Sequence, residues 1–77
     1  MKLKIVSPSR ELLNQEIDHV LLPGELGQMD ILSGHTSMTA LLCDGVIRYF
    51  HAGSEKEIKI EKGLAEVKGN EVLVLTS

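Results

Sequence analysis

Short runs of alternating apolar and polar residues, each stopped by a turn-forming pair, fill most of the chain. Lys2-Leu3-Lys4-Ile5 has the period of two expected of a half-buried strand, and Ser7-Pro8 stops it because proline cannot donate to a ladder. Glu11 to Leu22, ELLNQEIDHVLL, is ambiguous: Leu12, Leu13, Ile17, Val20 and Leu21 could form one helical stripe. A turn at Asn14-Gln15 would instead leave Ile17, His19 and Leu21 on one face of a strand running to Pro23, and strands are the favoured reading. Further on, the apolar run Met38 to Cys43 stops at Asp44-Gly45 and Val46 to Phe50 resumes it. Asp-Gly between two such runs predicts a tight hairpin.

His51 to Ser54 reads as the next turn. EKEIKIEK then alternates charge with Ile58 and Ile60, as an exposed strand with one buried face does, and Lys56, Lys59 and Lys62 would protect its edge from pairing with another molecule. Lys62-Gly63 turns the chain, Leu64 to Lys68 forms a strand, and Gly69-Asn70 makes another hairpin. Val72 to Leu75 is apolar on both faces, which predicts a central last strand. Seven to ten short strands with no convincing helix imply one all-β domain over residues 1–77, a β-sandwich or flattened barrel.

Leu21 to Thr39 fits this scheme least well. Pro23, Gly24, Gly27 and Gly34 break it into short pieces, while Met29, Ile31 and Leu32 give it apolar surface. Such a segment is held by its ends and offers its tips to something else, so function is expected there.

Composition narrows the classes. A chain of 77 residues with 43% apolar content can pack a core, and with one Tyr, one Phe and no Trp that core must be aliphatic. Cys43, the only cysteine, excludes an internal disulfide and is expected to be a buried small hydrophobe beside Leu41 and Leu42. No apolar run approaches the length of a membrane-spanning helix, and a soluble cytoplasmic protein is expected. All eight Lys and Arg lie at or before Arg10 or at or after Arg48, so Glu11 to Ile47 carries six acids and no formal cation. An acidic middle argues against nucleic acid and suits a basic protein partner.

Catalytic and metal motifs are thin. His19, His35 and His51 are spaced 16 apart, which matches no compact metal motif. Ser33, His35 and Ser37 set hydroxyls beside an imidazole, but no nucleophile elbow accompanies them. The glycines form neither a Walker loop nor a G-x-G-x-x-G turn. No catalytic residue, metal or cofactor is expected, and a binding module is favoured over an enzyme.

Taken in order, LPG, GQMDILSGHTSM, LLCDGVIRYF, IEKGLAEV and NEVLVLTS resemble the N-terminal β-sandwich domain of the epsilon subunit of F-type ATP synthases, over essentially all 77 residues. The resemblance implies a sandwich of two roughly five-stranded sheets, ten strands in all. It implies a non-catalytic rotor component of the central stalk, coupling proton or sodium flow to ATP synthesis. Implied partners are the gamma subunit and the c-subunit ring, with the alpha and beta subunits contacted indirectly. The implied location is peripheral, on the cytoplasmic side of a bacterial cell membrane.

Carried over by position, the c-ring contact falls on Glu25, Leu26, Gln28, Met29 and Asp30, and the gamma contact on Ser7, His35 and Met38. A basic ring loop would complement the cation-free middle. Gln28 stands where an acid is common, Asp30 and Ser33 where Gly and Pro are frequent, and Lys62 in place of a second Gly. The family's C-terminal pair of inhibitory, ATP-binding helices has no counterpart up to Ser77, so that device is expected to be missing. The alternative reading is a small β-sandwich adaptor for an unrelated basic protein.

Overall fold

The computed structural model describes residues 1–34 and 37–77 and contains nine strands and no helix among them. They are β1 (Lys2–Val6), β2 (Glu11–Glu16), β3 (His19–Gly24), β4 (Gly27–Leu32), β5 (Met38–Leu42), β6 (Gly45–His51), β7 (Ser54–Ile60), β8 (Gly63–Lys68) and β9 (Glu71–Thr76). Hydrogen bonding runs β2-β1-β9-β8-β5-β3-β6-β7, with β4 added to β3. The path folds into two layers, β2-β1-β9-β8-β5 and β4-β3-β6-β7, joined where Gly24 of β3 pairs with Leu42 of β5. All pairings are antiparallel except β1 with β9.

Alternation explains the layers. In the larger one, Ile5, Val74 and Ala65 lie side by side, as do Leu3, Val72 and Val67, and all are buried. Val20, Leu22, Ile31, Ile47 and Tyr49 of the smaller layer complete the core. Removing each large aliphatic from water contributes about 1.5–3 kcal/mol. The intervening residues face outward, mostly charged on β7 and β8.

Local chemistry sets the turns. The β6–β7 hairpin turns through Ala52 and Gly53, both at positive φ, and the Asp18 carboxylate accepts the Ala52 N–H at 2.9 Å. Thr76 closes the opposite end by donating its hydroxyl to the carbonyls of Glu61 and Lys62, each at 3.1 Å. β9 lies between β1 and β8, the central position its apolar run implied.

Three expectations need correction. Asn14-Gln15 is not a turn: it lies inside β2, paired to Lys4 and Leu3, and the chain turns at Ile17-Asp18, whose N–H groups bond to Met1 and Phe50 carbonyls. Asp44-Gly45 is not a hairpin: β5 pairs with β8 and β6 with β3 and β7, so here the chain crosses between layers. Gly45 is needed for space, since a Cβ there would lie 2.9 Å from Pro23 Cβ. Asp44 serves the crossing by accepting the Lys62 N–H at 2.9 Å. Cys43, third, is exposed, because the crossing turns it outward, with its thiol 3.5 Å from the Pro23 carbonyl.

A Cβ added at Gly63 would sit 2.6 Å from the Leu75 carbonyl oxygen, a backbone atom that cannot rotate away. Gly63→Ala is therefore expected to cost about 1–3 kcal/mol, as overpacking does. Urea unfolding measures this, and an unchanged midpoint would contradict the close approach.

Candidate interaction surfaces

The stretch singled out in the sequence is a hairpin. β3 and β4 pair from His19 with Leu32 to Gly24 with Gly27, leaving Glu25 and Leu26 as a two-residue tip. Gly27 takes φ 130°, a conformation that glycine adopts without steric cost. Leu26 is fully exposed, and no other large apolar side chain among the described residues stands so free. The tip is fastened at its base, where the Glu25 N–H donates to the Leu41 carbonyl and the Cys43 N–H to the Pro23 carbonyl, both at 2.9 Å.

Of the five residues from Glu25 to Asp30 that the resemblance assigned to one contact, Glu25, Leu26, Gln28 and Met29 line one open cleft and Asp30 lies outside it. Glu25 and Leu26 form the tip, whereas Gln28, Met29 and Asp30 lie within β4. Met29 is half-buried against the core. Asp30 accepts a hydrogen bond from His19 Nδ1 at 3.0 Å, and the His19 ring stacks on Phe50 with centroids 4.1 Å apart and planes within 5°. That cluster ties β4, β3 and β6 together on the outer face of the smaller layer.

The assigned gamma-side residues come from separate elements. Ser7 closes the turn after β1: its backbone N–H donates to the Arg10 carbonyl, and its hydroxyl accepts the Arg10 N–H at 3.3 Å. Met38 begins β5, half-buried and paired with Val67. β9 and β8 lie between β1 and β5, so these two strands run roughly 14 Å apart at about 4.8 Å per strand spacing. His35 lies outside the described residues.

Between Ser7 and β5 runs a feature that sequence reasoning missed. Val6, Leu75, Leu64 and Leu41 are register neighbours across β1, β9, β8 and β5, and all face away from the core. Leu41 is 57% exposed and Leu75 46%, while Val6 and Leu64 are half-buried. An apolar row across four strands is uncommon on a water-facing sheet and makes this row a candidate contact surface. Its signal was the doubly apolar Val72 to Leu75, since one face of an outer layer cannot be buried by the chain's own core.

Electrostatics here is mild. The Met1 ammonium, 2.7 Å from Glu16 Oε2, holds that carboxyl below its usual range, through the direct hydrogen bond first and charge attraction second. Arg48 pairs with Glu57 at 2.9 Å across β6 and β7. No three His, Cys, Asp or Glu side chains gather as a metal-binding group among the described residues. The surfaces present contact chemistry: an apolar row, and a hairpin tip pairing one acid with one free leucine. With Cys43 exposed beside that tip, a water-soluble disulfide reagent should label it in native buffer about as completely as in urea; protection in the native state would contradict this geometry.

Residues 1–77 match the family model described as the β-sandwich domain of the ATP synthase delta/epsilon chain. The ATP synthase epsilon chain of Carboxydothermus hydrogenoformans is 38% identical over 77 residues, covering all of this chain and 58% of that protein. The epsilon chain of Pelagibacter ubique is 36% identical, covering 99% of this chain and 59% of its own length. The chain thus spans less than two thirds of these relatives. A chain of the Euglena gracilis mitochondrial ATP synthase, solved as OSCP/F1/c-ring, superposes with a TM-score of 0.89 at 23% identity, over 96% of this chain and 48% of that one. A chain of the Tetrahymena thermophila mitochondrial ATP synthase central stalk and c-ring superposes with a TM-score of 0.83 at 14% identity, over 99% and 62%. At those identities the structural likeness establishes the fold.

Proposed function

The chain belongs to the delta/epsilon-chain β-sandwich family of ATP synthases, and from that membership we propose that it is a non-catalytic subunit of the rotor's central stalk. In this reading it packs against the gamma subunit with one surface and rests on the c-ring with another. It thereby couples ion flow to ATP synthesis from the cytoplasmic face of the membrane, with no cofactor of its own. The observation that carries the proposal is the family match over every residue of the chain.

Two features of the surface support the division of labour. The row Val6–Leu75–Leu64–Leu41 runs from beside Ser7 to β5, the strand that Met38 begins, and gives gamma a flat apolar strip. The tip, with Glu25 and Leu26, gives the ring a narrow projection: the leucine enters a depression and the carboxylate meets a basic loop. Gln28 and Asp30 flank the tip on β4, and Asp30 acts there chiefly by bracing His19. A sheet scaffold suits the task, because torque passed between two partners is lost in any soft joint.

Replacing Leu41 and Leu75 together by lysine should weaken binding to purified gamma by about tenfold or more while leaving the urea midpoint near its native value, since both side chains are already half in water. Leu26→Asp should spare gamma binding and abolish retention by c-rings in nanodiscs. Native affinity of the lysine variant for gamma would remove the row from the proposal. A wild-type chain that binds neither partner would return the protein to the class of small sandwich adaptors.

A further inference from the structure

β5 bonds β8 along one edge, and its other edge meets β3 only at the Leu42–Gly24 pair. Leu41 turns its carbonyl to that second edge, where the Glu25 N–H reaches it. Thr39, two residues earlier, must turn its N–H and C=O the same way, and among the described residues no strand pairs with it there. A cleft of about 530 Å³ opens beside this edge, between β5 and the β3–β4 hairpin. Met29, Met38, Ala40 and Leu41 line it, and Glu25 is its single charged residue.

The other open edges are defended. β7 alternates Lys and Glu, β2 carries Glu11 and Glu16, and β4 carries Asp30. Charged side chains of this kind keep free edges from pairing with other chains. β5, MTALL, has no charge, no proline and no glycine. An undefended edge beside an apolar cleft has the form of a site for strand addition, in which main-chain bonds give affinity and pockets for alternate side chains give selectivity.

We propose that this cleft receives an extended segment of a partner protein, which adds as a further strand to the free edge of β5. Four residues of the segment lie along Met38 to Leu41, about 13 Å at 3.3 Å per residue. They bond Thr39 through both its N–H and its C=O, and the Leu41 N–H. Alternate side chains, small and apolar, enter between Met29 and Met38. A lysine or arginine at one end pairs with Glu25, which forms no ion pair among the described residues. The cleft borders the outer apolar row at Leu41 and the tip at Leu26, and the inference does not depend on which complex the chain joins.

Selection of a displayed library of random decapeptides on the intact chain tests this, with binders mapped by backbone amide chemical shifts. Enriched peptides should alternate β-branched or small apolar residues with polar ones, carry one basic residue at a fixed position, and shift the Thr39 and Leu41 amides. N-methylation of alternate peptide bonds should weaken binding at least tenfold, and so should Glu25→Lys, a tip substitution made outside the core. Failure to enrich any such peptide would overturn the proposal, as would binders that leave Thr39 and Leu41 unmoved or N-methylated peptides that bind equally well. A chain found by sedimentation to dimerise through β5 would assign the edge to a second copy instead.

Discussion

The crossing from β5 to β6 is the constraint on which the rest of the structure depends. Within a few residues the chain leaves one layer, passes over Pro23 and enters the other, and the Leu42–Gly24 pair is where the two layers share hydrogen bonding. The passage requires glycine at position 45, where the Pro23 ring leaves no room for a Cβ, and it is fastened by the Cys43 N–H on the Pro23 carbonyl and by Asp44 on the Lys62 N–H. Because the same contacts hold the base of the β3–β4 hairpin, the exposed Leu26 projects from a fixed base. Fold and presentation of the tip are one problem with one solution.

Fixing the layers at one flank leaves the surfaces distinct. The larger layer turns Val6, Leu75, Leu64 and Leu41 outward; the smaller one turns out the His19–Asp30–Phe50 cluster and the Arg48–Glu57 pair. The first is apolar and suited to lasting contact. The second is a polar cluster satisfied within the chain, with Leu32 and Val46 exposed on the same layer. A membrane-ring contact at the tip and a stalk contact on the apolar row can thus act through one stiff body.

Much of the fold was legible because alternation is local. Lys2 to Ile5, the charged ladder of β7 and the Gly69-Asn70 hairpin each announce themselves within a few residues. Partner choice is not local. Asp44-Gly45 has the chemistry of a hairpin turn, yet β5 pairs with β8, where Ala40 lies beside Ala65 and Met38 beside Val67, so the dipeptide serves a crossing. Asn14-Gln15 read as a turn because nothing nearby reveals that Leu3 and Lys4 claim those residues as ladder partners. Cys43 sits next to two leucines and still faces water, since only the crossing sets its direction. The candidate surfaces divide the same way: Gly24 and Gly27 betray the tip at Glu25-Leu26, whereas the apolar row is built from four separate segments and exists only once their register is known.

The central claim is that one rigid sandwich presents two separate docking surfaces to two partners. The most direct measurement is a single-particle structure of this chain bound to gamma and the c-ring. The account predicts gamma over the Val6–Leu75–Leu64–Leu41 row, the ring against Glu25 and Leu26, and the two layers related as they are in the free chain. A complex with either surface bare, or with the layers displaced about the β5–β6 crossing, would contradict it.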